Sequence, residues 1–326
     1  MSDLHLNLED EYQARLNIAA DRANASAEEY ATRLIKRSLN RSARDSNEIA
    51  KLKSVGDLII WLRRVRQKLR MSDEKTRFYF RGEPSCFPRV LPKLQRHARN
   101  LKNIHDCEFD DISRLQMSIL GRMQRYTAQY QFDSTVIGKP ENFWEWLCIA
   151  QHHGYPTVLL DWSLNPLVAL FFAIDDPTDK FAEEDGRIWI MKLRPKEERQ
   201  QTGQTVYVGK ESLSRDGFPP YPGEVDRDGT KKMHEMSKPL IVVPRVLTRR
   251  IEAQAGRFVF WPREDGLEEA SNDMASESPW ESLDCFRVPA SAKALIKKQL
   301  DELRIHEGTM YADLDGYARY ITGGGL

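Results

Sequence analysis

Cysteine is scarce: there are four in 326 residues, Cys86, Cys107, Cys148 and Cys285, and no two lie close together in the chain. That scatter suggests neither a disulfide framework nor a zinc knuckle, and no metal site is expected. An excess of charge of either sign is also lacking, since 49 Lys and Arg stand against 49 Asp and Glu. The molecule as a whole therefore has no basic field to draw it onto nucleic acid or acidic lipid, and any such binding has to be local. Long apolar runs are absent; the longest, residues 167–174, falls well short of the about 20 residues that cross a bilayer, so no membrane partner is expected. The opening Met1-Ser2-Asp3-Leu4-His5 has neither a positive start nor an apolar stretch. A secretory leader is not expected there, and a cytoplasmic location is. No internal repeat shows. What the chain does have is 40% hydrophobic and 10% aromatic residues at a mean hydropathy of −0.59, enough for a sizeable core in a globular protein. The length suits one large domain and one small one.

Residues 1–44 form the first unit. Leu4, Leu6 and Leu8 alternate with polar residues, which predicts a short strand. Tyr12, Leu16, Ala19, Ala20 and Ala23 then keep the spacing of one helical stripe. Asn24-Ala25 reads as a turn, and Ser26 followed by Glu29 makes a capping box opening a second helix, striped by Tyr30, Ala31, Leu34, Ile35 and Leu39. Elements this short cannot bury their apolar faces alone, so a homodimer is expected. The order resembles the ribbon-helix-helix family of DNA-binding dimers over residues 2–42. That resemblance implies a DNA partner, with His5 and Asn7 facing the bases and the backbone amides near Ser26 meeting a phosphate. The alternative is a dimerisation clip alone, because Asp3, Glu9, Asp10 and Glu11 crowd the side a groove reader would make basic.

A polar linker at 45–53 leads into a second domain, 54–326. Helices are predicted over 55–69 (Leu58, Ile59, Leu62, Val65 and Leu69), 107–129, 142–153 and 290–303. Strands are predicted over 77–81, 186–193 and 239–243 from their β-branched and aromatic content. Residues 200–237, rich in Gly, Pro and charge, read as a long surface insertion, and 263–278 as an acidic loop. Helices and strands interleave without regular alternation, which makes the fold class α+β.

Three islands carry more polar equipment than packing needs. The first is Phe78-Tyr79-Phe80-Arg81-Gly82-Glu83, where an arginine at the end of a buried strand needs an internal carboxylate or an anionic ligand. The second runs from Gln151-His152-His153-Gly154-Tyr155-Pro156-Thr157 through Leu160-Asp161-Trp162-Ser163 to Asn165-Pro166, after which a nearly all-apolar helix begins, capped by Asn165 and opened by Pro166. In the third, Arg249 to Phe258, alternation predicts a strand with Glu252 and Gln254 on a common face.

These islands resemble the FRG family, named for Phe-Arg-Gly, here Phe80-Arg81-Gly82. The likeness extends to Gln151–Thr157, Leu160–Ser163, Asn165–Ala173, Ala253–Phe258 and the late Met310–Gly316, about residues 53–322 in all. Val158 stands where relatives place Arg. A more distant resemblance, to the Arg–Ser–Glu class of ADP-ribosyltransferases, implies a site and a cofactor. Arg81, with Gly82, would hold the pyrophosphate of NAD; Asp161 and His152 would lie beside it, and Trp162 or Tyr155 would stack on the nicotinamide ring. Ser163 would steer the ribose, and Glu252 or Gln254 would bind its hydroxyl while the glycosidic bond breaks toward a macromolecular acceptor. A DNA-tethered effector, in the manner of a self-regulated toxin or defence factor, would suit that pairing of units.

Other roles fit the same residues. Arg81 and Asp161 equally fit an internal ion pair, Trp162 a core plug, and Gln254-x-Gly256 a strand bulge. His152 and His153 are helix neighbours diverging by about 100° and do not readily share a metal. The second functional reading is a non-catalytic regulator that senses a nucleotide or binds a protein. The third, least supported, makes Glu83, His152 and Asp161 a metal site for hydrolysis.

Overall fold

The computed structural model describes Asn17, Ser26 and residues 51–70, 77–87, 90–102, 109–127, 140, 143–176, 178, 180–193, 205–207, 239–261, 266–267 and 280–323. The chain divides into two compact units, Met1–Ile49 and Ala50–Leu326. In the first, Asn17 is helical and Ser26 lies outside regular structure, both exposed. The strand at 3–8, with His5 and Asn7, and the rest of the ribbon lie outside the described residues.

The second unit is mixed α+β, in the order α1 (Val55–Arg70), β1 (Phe78–Glu83), α2 (Lys93–Lys102), α3 (Phe109–Thr127), α4 (Phe143–His152), β2 (Leu159–Ser163), α5 (Pro166–Ile174), β3 (Gly186–Leu193), β4 (Thr205–Tyr207), β5 (Leu240–Val243), α6 (Arg249–Ala253), β6 (Gly256–Phe260), β7 (Trp280–Val288), α7 (Ala290–Glu302), α8 (Glu307–Tyr311) and α9 (Leu314–Thr322). The strands form one sheet ordered β4-β5-β6-β2-β1-β3-β7. Every pairing is antiparallel except β4 with β5 at one edge. Strand β4 falls inside the expected surface insertion, which thus adds a strand to the sheet.

Alternation along the strands sorts their side chains into separate cores. Leu159 joins a cluster with α2, α3 and α4, including Leu94, Leu120, Trp144 and Leu147. Phe80, Ile188 and Ile190 pack with α1, α5 and α7. Tyr79, Leu160, Trp162, Trp189 and Met191 build a third, around Trp261 and Trp280. Helix α1 meets its core through Val55 and Leu58, with Trp61 and Leu62 packed behind. Ile59, expected on that stripe, is 50% exposed, so the buried face is turned away from it.

Helix α5 begins as its sequence dictates: the Asn165 side chain accepts from Leu167 N at 3.0 Å and Pro166 fills the first helical position. It lies against the sheet closely enough to require glycine on two strands. A Cβ on Gly82 would stand 1.8 Å from Ala169 O, and one on Gly186 2.0 Å from Ala173 O.

The segment 249–258 corrects the sequence reading. It is a one-turn helix, α6, capped by Thr248, whose Oγ1 accepts from Ile251 N at 3.1 Å, followed by β6. The cap overrides alternation, because a Thr that satisfies a helical N–H starts a helix whatever the polar periodicity beyond it. Glu252 and Gln254 therefore share no strand face.

Candidate functional site

Strands β1 and β2 pair at a single position, Phe80 opposite Ser163, although β1 holds six register pairs with β3 and β2 five with β6. Beyond that position the two strands part. The sheet opens into a cavity of about 200 Å³, whose polar lining is Arg81, Lys93, Arg96, Gln151, Tyr155 and Asp161. Arg81 spans the opening: its Nη1 donates to Asp161 O at 2.9 Å, taking a carbonyl that the ladder leaves over.

Behind Arg81 stands Glu83, 3% exposed. Its Oε1 accepts from Arg81 Nε at 3.2 Å, and its Oε2 accepts from Arg187 Nη2 at 3.1 Å and Trp189 Nε1 at 3.1 Å. The Arg187 guanidinium lies over the Trp189 ring at 4.7 Å and also donates to Phe87 O at 2.8 Å. One buried carboxylate thus holds two guanidiniums and an indole, and the charge it neutralises explains why it survives without water. Two edges of Arg81 are fixed in this way, while its Nη2 has no partner among the described residues.

The other wall comes from the start of α2 and the end of α4. Leu94 N donates to Thr157 O at 3.0 Å, tying the helix to the chain ahead of β2, and Lys93 Nζ donates to Gly154 O. Gln151 Nε2 donates to Asp161 Oδ2 at 2.7 Å, and Thr157 Oγ1 donates to Gln151 Oε1, so the exposed Asp161 carboxylate is aimed by a relay. Partial burial and repulsion from Arg81 lower the pKa of Arg96, with Glu83 and Asp161 opposing the shift. Two guanidiniums facing one hollow repel each other, and an anion between them removes the repulsion.

Of the residues expected to bind cofactor, the structure gathers Arg81, Tyr155 and Asp161 in this cavity. The Arg81–Asp161 ion pair is not formed: Arg81 pairs with Glu83 on its own strand and meets only the Asp161 backbone. Gly82 contacts α5, not the cavity. Trp162 is 3% exposed and packed in the third core, where its ring offers no open face for stacking. His152 lies near Thr248 Oγ1 at 3.3 Å, its ring edge-on to that of His153.

The residues expected to be catalytic stand elsewhere. Ser163 is 4% exposed; its Oγ donates to Gln254 O at 2.6 Å and accepts from Asn165 N at 2.8 Å, which ties the end of β2 to the turn before β6. The Gln254 side chain donates to Met310 O at 3.0 Å, reaching α8. Glu252 is exposed on α6 and does not line the cavity. Among the described residues no group of three His, Cys, Asp or Glu is placed to hold a metal ion, so Glu83, His152 and Asp161 form none. No described helix is long and apolar enough to cross a membrane.

Sequence reasoning passed over Lys93, Arg96 and the bracing role of Glu83. The three-residue interval between Lys93 and Arg96 was a signal, since it puts both cations on one side of a helix. Their proximity to Arg81 arises from the fold alone.

Residues 76–181 match the family model of the FRG domain, a span that holds the whole polar lining of the cavity together with β1, β2 and α5. No curated protein matches the chain, and no solved structure does.

Proposed function

We propose that this FRG-domain protein binds the diphosphate of a nucleotide in the cavity between β1 and β2, with NAD as the cofactor, and that it acts as a nucleotide-dependent regulator. The observation that carries the reading is the convergence of Arg81, Lys93 and Arg96 on one open hollow in which, among the described residues, only Asp161 is acidic. Arg81 is braced by Glu83, so its free Nη2 costs little ordering when it meets a phosphate oxygen. A volume of about 200 Å³ takes a diphosphate and leaves the nucleosides at the open mouth.

Isothermal titration of the full chain with inorganic pyrophosphate and with NAD tests this. Saturable binding is expected, weakened by about tenfold or more in Arg81→Ala and Arg96→Ala, as for loss of a charge-assisted hydrogen bond. A folded wild-type protein that takes up neither compound overturns the reading.

A second reading, ADP-ribosyl transfer, is favoured by a carboxylate sharing the cavity with Arg81. In it the bond from ribose C1′ to the nicotinamide nitrogen breaks, and neutral nicotinamide leaves with the electron pair. An acceptor nucleophile on a macromolecule then bonds C1′ and gives up its proton. In this reading Asp161, which lines the cavity, takes the role of the carboxylate facing the developing cation instead of Glu252, while Ser163 and Gln254 tie β2 to α8. Nicotinamide release from NAD, lost in Asp161→Asn while pyrophosphate binding persists, separates this from regulation alone. We further propose that residues 1–42 dimerise and bind DNA.

A further inference from the structure

The cavity between β1 and β2 holds one group that a site for phosphate alone does not need. Arg81, Lys93 and Arg96 line it together with the carboxylate of Asp161, which repels a diphosphate bound among them. That carboxylate is nonetheless aimed. Asp161 is the one exposed residue of β2, whose other four members are buried. Its Oδ2 accepts from Gln151 Nε2 at 2.7 Å, and Gln151 is itself held by Thr157 Oγ1, which donates to its Oε1. Its Oδ1 has no partner among the described residues. Nor does it neutralise Arg81, which forms its ion pair with Glu83 and meets Asp161 only at the backbone carbonyl.

A carboxylate is an acceptor only, so the ligand it faces has to bring donors. Three cations on the same walls repel an ammonium, which leaves neutral hydroxyl or N–H groups. Arg81 Nη1 is bonded to residue 161 itself, so a phosphate on Nη2 lies next to the carboxylate, and so does the sugar joined to that phosphate. In a ribonucleotide that sugar carries two vicinal hydroxyls, a pair that matches the two oxygens of one carboxylate. We propose that Asp161 reads the ribose of the bound nucleotide, accepting from its 2′- and 3′-hydroxyls, so that the cavity selects ribonucleoside diphosphates over their deoxy counterparts. This assignment rests on the diphosphate reading and names the sugar of the same ligand; it holds whether or not NAD is cleaved.

The full chain is titrated calorimetrically with pyrophosphate, ADP, 2′-deoxy-ADP and 3′-deoxy-ADP, in EDTA so that no divalent cation bridges carboxylate and phosphate. ADP binds about fivefold or more tightly than either deoxy compound, as for loss of a hydrogen bond to a charged group near solvent. In Asp161→Asn, Gln151 Nε2 claims the amide oxygen and the amide NH2 turns to the hollow. The preference for ADP then disappears, while pyrophosphate binds more tightly than in wild type because the repulsion is gone. These two effects have opposite signs, which unfolding or general damage to the cavity does not produce. Equal affinity for ADP and both deoxy forms, with pyrophosphate still bound, overturns the assignment and leaves the diphosphate reading standing. Failure of pyrophosphate and ADP alike overturns both. A preference for ADP that survives Asp161→Asn overturns the assignment as well, since another group then reads the sugar.

Discussion

Arg81, Gly82 and Glu83 are consecutive, and each is required for a different physical reason. Gly82 is a matter of space. A methyl group there meets a backbone carbonyl of α5, which cannot turn aside as a side chain would. Gly82→Ala is expected to cost about 3 kcal/mol or more, the upper end of overpacking, and urea denaturation measures it. Glu83 is a matter of charge. Removing it takes from Arg187, whose side chain is 12% exposed, its carboxylate, and releases one edge of Arg81. Glu83→Ala should therefore lose about 3–5 kcal/mol of stability, whereas Arg81→Ala, which leaves Glu83 its bonds to Arg187 and Trp189, should cost less, about 1–2 kcal/mol, while weakening pyrophosphate binding about tenfold or more. Equal destabilisation by both would show that Arg81 serves the fold and not a ligand.

Among the elements, α5 and α8 are joined by a hydrogen bond with a pH signature. Tyr311 Oη donates to Asp175 Oδ2 at 2.8 Å, and the Tyr311 ring lies between Arg250 and Arg319, with guanidinium carbons 4.8 and 4.7 Å from its centroid. Burial pushes the Asp175 carboxyl up to about 6, the Tyr311 hydrogen bond opposing the shift. The folded state thus keeps a proton that the unfolded chain releases near pH 4, and stability falls as pH rises from about 4 to about 6. Asp175→Asn retains an acceptor for Tyr311 and removes the charge. Its stability relative to wild type should be near zero at pH 4 and about 2–3 kcal/mol greater at pH 7, read from denaturation curves across that range. A difference that does not vary with pH would refute the assignment. At the other end of α5, Asn165→Ala removes the cap and should cost about 1 kcal/mol.

On the scale of the whole molecule, the hydrophobic clusters of the described residues lie within 52–310, inside the second unit, and Leu52 N donates to Arg287 O at 2.9 Å. A chain starting at Ala50 should therefore melt cooperatively and bind pyrophosphate as the full chain does. Removing residues 1–42 should abolish DNA binding, which in the full chain should be salt-sensitive, prefer a palindrome and weaken in Asn7→Ala; gel-shift titration checks this. Failure to bind even at low salt would reduce that segment to a dimer contact.

Several elements were legible because their signals are local. Asn165-Pro166 followed by an apolar run is a cap, a preset first turn and a buried helix within a dozen residues, and α5 is that helix. The β-branched and aromatic run at 186–193 is β3. Local signals misled where two competed, as when the Thr248 cap outweighed the alternation around Glu252. The sequence by itself determined an α+β domain, its main helices and an arginine that had to find a partner. Only the tertiary structure decided which partner. Glu83 took one edge of the guanidinium, and the parting of β1 from β2 brought Lys93, Arg96 and Asp161 around another, while Ser163 and Gln254 were drawn into structural hydrogen bonds. No pattern along the chain encodes this, because how far two strands stay paired depends on what packs against both faces of the sheet.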